Sequence, residues 1–176
     1  MAFTIGVDCD DVVLDLVENW IKLYNKDFNH NLKKESITDW SISKFVKRAA
    51  KKHIYSYIEK GEVFSTSKPV PNALETIQWL KELGHRVIYI TANDPENVKF
   101  KWLLDNNFID DIDDFVVAYD KSLILSDFLI DDRWENVKDR HGGILYSQPW
   151  NLKYEFENRV DNWQDFKEKF EKGLIP

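Results

Sequence analysis

A chain of 176 residues with 43% apolar and 14% aromatic side chains carries ample core material for one domain with a small insertion, and is not a disordered segment. Its formal net charge of −7 argues against general binding to nucleic acid or to anionic membranes, although local cations still allow a small anionic substrate. The single cysteine, Cys9, permits no internal disulfide, no leader peptide is visible, and no apolar run approaches the roughly 18 residues that cross a bilayer; the expectation is a soluble, cytoplasmic chain.

The first apolar run, Phe3-Thr4-Ile5-Gly6-Val7, leads into Asp8-Cys9-Asp10-Asp11, so residues 3–8 read as a short buried strand ending in carboxylates. From Val13, the positions Val13, Leu14, Val17, Ile21, Tyr24 and Phe28 follow helical spacing until Asn29-His30-Asn31 breaks it. A second helix is expected from about Ser43 to Lys60, with Val46, Ala50, His53, Ile54 and Tyr57 on one face and Gly61 ending it. Pro69 and Pro71 mark a change of regime. Asn72 is the expected N-cap of a helix carrying Leu74, Ile77, Leu80 and Leu83, stopped by Gly84. Arg86 to Thr91 reads as a strand, and Asp94-Pro95 opens a helix through Val98, Trp102 and Leu103. Phe115 to Tyr119, Phe128 to Ile130 and Ile144 to Tyr146 are further short apolar runs. A closing helix from Asp161 to Lys172 turns Trp163, Phe166 and Phe170 toward a core.

From residue 72 onward this alternation predicts an α/β fold, a Rossmann-like parallel sheet flanked by helices. Residues 15–68 hold two expected helices and no strand, and read as a small helical cap over the carboxyl edge of the sheet. Residues 1–14 and 69–176 then form the core.

Asp8 and Asp10 share one side of an extended chain, and carboxylates that close repel each other unless a cation lies between them. Mg²⁺ suits oxygen ligands; capping of the following helix is the alternative for an isolated pair. The other strand ends shift the balance toward chemistry. Thr91 is followed by the small Ala92, Lys121 lies just beyond Tyr119-Asp120, and Phe128-Leu129-Ile130 runs into Asp131-Asp132. Three carboxyl groups can hold one Mg²⁺. A lysine, a threonine hydroxyl and nearby backbone N–H groups can hold phosphate oxygens. One aspartate can attack phosphorus while another, two residues on, moves the proton.

In order and placement these residues resemble the haloacid dehalogenase superfamily of Mg²⁺-dependent phosphatases. The likeness covers nearly the whole chain: Asp8-Cys9-Asp10 as first motif, Thr91 as second, Lys121 as third and Asp131-Asp132 as fourth. It implies Asp8 as nucleophile and Asp10 as general acid/base. The implied metal ligands are Asp8, the backbone carbonyl of Asp10, Asp131 and, directly or through water, Asp132. Thr91, Ala92 and Lys121 would bind phosphate. The runs 120–133, 69–73 and 162–166 are similar to the 5′(3′)-deoxyribonucleotidase family, in which a small helical cap sets aromatic residues against the base. Trp40 and Phe64 are the aromatic candidates here, with packing inside the cap as the alternative. Ala92-Asn93 and Asp11 depart from the animal enzymes, which carry a hydroxyl residue then proline, and glycine, at those places.

The expected activity is dephosphorylation of a nucleoside monophosphate through an aspartyl-phosphate; a phosphatase for a sugar phosphate or another small metabolite is the rival. Lys99 either reaches the phosphate region or is a solvated helix lysine. Cys9 is expected to pack inward, Arg133 to orient one of the adjacent carboxylates, and the acidic run 110–114 to be a solvated loop. The expected partner is a small phosphorylated molecule, with no nucleic acid and no membrane; a homodimer stays open.

Overall fold

The computed structural model describes residues 2–59 and 61–175; Met1, Lys60 and Pro176, which end the expected core and the second expected helix, lie outside the described residues. Among the described residues, six strands form one parallel sheet: β1 (Thr4–Asp8), β2 (Arg86–Thr91), β3 (Phe115–Val117), β4 (Phe128–Asp131), β5 (Gly143–Tyr146) and β6 (Arg159–Val160), in the order β3-β2-β1-β4-β5-β6. Seven helices accompany it: α1 (Leu16–Phe28), α2 (Ser56–Glu59), α3 (Glu62–Ser65), α4 (Ala73–Glu82), α5 (Val98–Asp105), α6 (Trp134–Val137) and α7 (Trp163–Glu171). This is the expected Rossmann-like α/β fold.

The sheet is apolar on both faces because helices cover both. Val87 and Tyr89 enter the main core with Ile77 and Leu80 of α4 and Trp163 and Phe166 of α7. Ile88 and Ile90, pointing the other way along the same strand, meet Leu129, Leu145 and Val137 of α6.

The helical expectations need four corrections. First, α1 begins at Leu16 rather than Val13, because the preceding residues fold into a tight turn: Val13 and Leu14 N–H donate to the Cys9 carbonyl at 3.1 and 2.9 Å, and Asp11 N–H donates to the Leu14 carbonyl at 2.7 Å. Second, the helix expected from Ser43 is broken into 3₁₀ turns at Ile42–Lys44 and Arg48–Ala50 before α2. Lys47/Lys51 and Arg48/Lys52 would be like charges one helical turn apart, which is destabilising. Lys47 instead caps α1, its ammonium donating to the carbonyls of Phe28 and Asn29 at 2.9 and 2.8 Å, and His53 faces solvent. Third, Asn72 precedes α4 with a left-handed backbone (φ 62°) and no side-chain cap bond. Fourth, α5 starts at Val98, after left-handed Glu96 and Asn97; the Asp94 carboxylate reaches over them to accept from the N–H groups of Lys99 (2.7 Å) and Phe100 (3.3 Å). The strand expected through Tyr119 ends at Val117, and β6, α3 and α6, too short for a periodic signal, were not anticipated.

The two ends of the excursion between β1 and α4 are joined by hydrogen bonds, Asp15 N–H to the Lys68 carbonyl and Val70 N–H to the Val13 carbonyl, both 2.9 Å. The turn after β1 is anchored from below by α7: the Trp163 indole N–H donates to the Val12 carbonyl at 2.8 Å. Trp163→Phe removes that donor and leaves a buried carbonyl unpaired, so urea denaturation should report a loss of about 1–3 kcal/mol. A loss under ~0.5 kcal/mol would show that the anchor carries no stability.

Candidate active site

The strand order reverses between β1 and β4, and open α/β sheets gather ligands in the crevice at the carboxyl ends of such strands. Asp8 ends β1, Thr91 ends β2 and Asp131 ends β4, so the fold alone brings these three side chains to one edge. Lys121 arrives from the turn after β3. The Asp120 carboxylate caps that turn by accepting from Ser122 N–H at 3.0 Å, and the buried ammonium reaches Asp8 Oδ1 at 2.6 Å and Asp131 Oδ2 at 2.7 Å. Asp131, fully buried, also accepts from the backbone N–H of Arg133 (2.8 Å) and from Asn136 Nδ2 (2.9 Å). One oxygen of Asp132 accepts from the Trp150 indole at 2.7 Å, beside the other acids.

Charge in this cluster is under-compensated. Burial pushes Asp8 up to about 7; Lys121 opposes the shift, and Asp131 and Asp10 reinforce it. Burial, with Asp8 and Asp131 nearby, pushes Asp132 well above the usual carboxylate range. Burial alone would lower the Lys121 ammonium, but the facing carboxylates of Asp8 and Asp131 raise it above its ordinary value.

Beside this cluster, Asp10 Oδ2 accepts from Lys99 Nζ at 2.7 Å, while its Oδ1 is buried with no hydrogen-bond partner. Lys99 is 1% exposed; it also donates to Thr91 Oγ1 at 2.8 Å and Asn93 Oδ1 at 3.1 Å. The Thr91 hydroxyl donates to the Asn93 carbonyl at 3.1 Å, and Ala92 is exposed. Lys99 is therefore not the solvated helix lysine of the alternative reading.

A cavity of about 310 Å³ opens next to the acids, lined by Asp11 and Asp132 on the side of the acidic cluster and by Trp20, Trp40, Tyr55 and Trp150 among its other walls. Trp40, 56% exposed, stands at its rim edge-on to Trp150, with the Arg133 guanidinium 5.3 Å above its ring. The structure does not bring Phe64 to this cavity: it is 1% exposed, with its ring 4.6 Å from Lys99 Nζ. Arg133 meets the Asp131 carboxylate through its backbone N–H, while its side chain stacks on Trp40. Cys9 packs inward, and burial pushes its thiol up, away from nucleophilic use.

The family model described as 5′ nucleotidase, deoxy (Pyrimidine), cytosolic type C protein matches residues 2–172. The chain belongs to this family. Among curated relatives, it is 25% identical over 173 residues to the 5′(3′)-deoxyribonucleotidase of Bacillus subtilis, covering 96% of this chain and 99% of that one. It is 26% identical over 168 residues to the 5′(3′)-deoxyribonucleotidase of Clostridium acetobutylicum, covering 93% and 92%. Among solved structures, a haloacid dehalogenase-like hydrolase of Streptococcus pneumoniae aligns with a TM-score of 0.62 at 12% identity, over 96% of this chain and 98% of that chain. The Bacillus subtilis HAD-hydrolase YfnB, described as bound to magnesium, aligns with a TM-score of 0.62 at 13% identity, over 97% and 100%. These two show the shared fold. The chain is thus a nucleotidase-family member, a phosphoric monoester hydrolase, built on the fold these haloacid dehalogenase-like hydrolases share.

Asp11 in this family member has a left-handed backbone (φ 56°), a conformation that favours glycine. Its carboxylate offsets the strain by accepting from Val17 N–H at the start of α1 (3.1 Å) and from Lys34 Nζ (2.8 Å). Burial, opposed by Lys34, leaves it raised to about 6. Sequence reasoning missed Asn136, Trp150, Lys34 and the cavity walls Trp20 and Tyr55; Trp150 and Lys34 meet their carboxylates across 18 and 23 residues, and the one-turn α6 that carries Asn136 has no periodic signal. Among the described residues, Asp8, Asp131 and Asp132 are the one acidic triad whose oxygens approach within 4.8 Å, and the run 110–114 forms no such group. This all-oxygen donor set, with two carboxyls raised and an orphan Asp10 oxygen beside it, fits Mg²⁺. Adding Mg²⁺ to chelator-treated protein should raise the melting temperature, by the equivalent of about 2.7 kcal/mol at a hundredfold excess over Kd. Asp131→Asn should lose most of that rise; a wild type indifferent to Mg²⁺ would reject the metal assignment.

Proposed function

We propose that the chain is a Mg²⁺-dependent phosphatase for nucleoside monophosphates, working through an aspartyl-phosphate on Asp8. The carrying observation is that Asp8, at the switch point of the sheet, shares Lys121 with Asp131, beside a cavity walled by aromatic rings. An ammonium has three donors; Lys121 uses two on these carboxylates, leaving one for a phosphate oxygen. The backbone N–H of exposed Ala92 completes the proposed phosphate cradle; the Thr91 hydroxyl, whose proton goes to the Asn93 carbonyl, braces Lys99 rather than the phosphate. Asp8, Asp131 and Asp132, with the Asp10 carbonyl, would hold Mg²⁺, whose charge would offset the carboxylates and the incoming phosphate. Residues 15–68 are the proposed cap, and Trp40 at the cavity rim is its proposed contact to the base.

In the first half-reaction an Asp8 oxygen bonds to phosphorus as the bond to the nucleoside oxygen breaks, and Asp10 gives that oxygen its proton. In the second, water attacks phosphorus, its proton passes to Asp10, and the bond to Asp8 breaks, releasing phosphate. The names of the curated deoxyribonucleotidases and the size of the cavity support the nucleotide. The inward thiol of Cys9 is consistent with the reducing, cytoplasmic location that belongs to the same reading.

Asp8→Asn should abolish Mg²⁺-dependent phosphate release; activity above about one percent of wild type, a barrier change under ~3 kcal/mol, would remove Asp8 from the nucleophile's role. A panel of ribo- and deoxynucleotides, 5′ and 3′, run beside sugar phosphates should favour nucleotides. Equal rates across the panel would reject the nucleotide assignment and keep the phosphatase.

A further inference from the structure

We propose that Lys99 is a positioning residue for Asp10 rather than a phosphate ligand, and that Phe64 seats it; the inference rests on the functional reading above. Lys99 enters the interior because Asp94 accepts from its backbone N–H at 2.7 Å, starting α5 directly after the left-handed pair Glu96 and Asn97. Its ammonium is then buried, where an unpaired charge would be costly. The three donors are all used, on Asp10 Oδ2 (2.7 Å), Thr91 Oγ1 (2.8 Å) and Asn93 Oδ1 (3.1 Å). No donor is left for a phosphate oxygen. This separates Lys99 from Lys121, which keeps one.

With Oδ2 held, the Asp10 carboxyl cannot rotate without breaking a charge-assisted bond. Oδ1, buried and without a partner, is therefore the oxygen presented for proton transfer to the leaving group. The Phe64 ring of α3 lies 4.6 Å from Nζ, and Trp102 of α5 donates to the Ser67 carbonyl at 2.9 Å. These contacts tie the position of the Lys99 ammonium to the segment between β1 and α4.

The test compares kcat/KM of wild type, Lys99→Met and Lys99→Arg on a deoxynucleoside monophosphate and on p-nitrophenyl phosphate, whose nitrophenolate departs with little help from an acid. If the panel above favours another alkyl phosphate, that ester replaces the nucleotide. A residue that positions the acid predicts a loss of about 10²-fold on the alkyl ester against less than about 10-fold on the nitrophenyl ester, with partial recovery in Lys99→Arg. Equal losses on both esters, as expected from a phosphate ligand or a general folding defect, overturn the assignment while wild-type activity leaves the functional reading standing. Unchanged rates overturn it as well. A wild type that hydrolyses neither ester overturns the functional reading and the assignment with it. Thermal melting is read beside the rates, and if Lys99→Met does not fold, Lys99→Gln carries the same comparison.

Discussion

Four carboxylates gathered at one edge of a sheet, Asp8, Asp10, Asp131 and Asp132, have to be neutralised where little water reaches them, and the rest of the site follows from how that is done. Lys121 serves Asp8 and Asp131, and Lys99 serves Asp10. Neutral donors from Asn136, Trp150 and the Cys9 and Arg133 backbones take further lone pairs. Two ammoniums against four carboxylates still leave the cluster negative, which is why burial can push Asp8 to about 7 and Asp132 well upward. The shortfall has the size of a divalent cation's charge. Such an arrangement stores its cost in the fold, since removing one partner of a buried pair typically costs about 3–5 kcal/mol.

The two lysines solve the same electrostatic problem with different remaining capacity. Lys121 comes from a turn and keeps a donor; Lys99 comes from a helix and has spent all three. A donor left over can meet a substrate anion, whereas a saturated ammonium can only hold its neighbours still. Proton transfer depends on such stillness, because it requires the acid within hydrogen-bond reach of the departing oxygen. The segment between β1 and α4 supplies the ring over Lys99, and the same segment supplies most of the cavity wall. The cavity and the seat of the Lys99–Asp10 pair therefore depend on one piece of chain.

Asp11 illustrates how a departure from a family pattern can be absorbed. The backbone there demands a left-handed turn, for which glycine is the low-cost residue. Aspartate fits by making its side chain useful: it caps α1, binds Lys34, and stands in the cavity wall. Its carbonyl is held as well, by Gln148 Nε2 at 2.6 Å. The turn that follows Asp8 is thus pinned from three directions, by Lys34, Gln148 and Trp163.

The sequence by itself determined the central strands of the sheet and what stands at their ends, though not the two-residue edge strand β6. Short apolar runs that stop at Asp8, Thr91 and Asp131 specify both strand and end, since a continuous apolar run and an abrupt polar residue are local properties. The excursion after β1 was legible as strandless and α1 from its apolar spacing, but its second helix was not, because the like charges from Lys47 to Lys52 and the demand of α1 for a C-terminal cap override the apolar spacing there. The destinations of Lys99, Phe64, Trp150 and Asn136 were decided only by the tertiary structure. Each side chain meets its partner across a separation in sequence or through a turn without periodicity. Spacing along a chain can say that a lysine lies on a helix, but not whether its three donors are already taken.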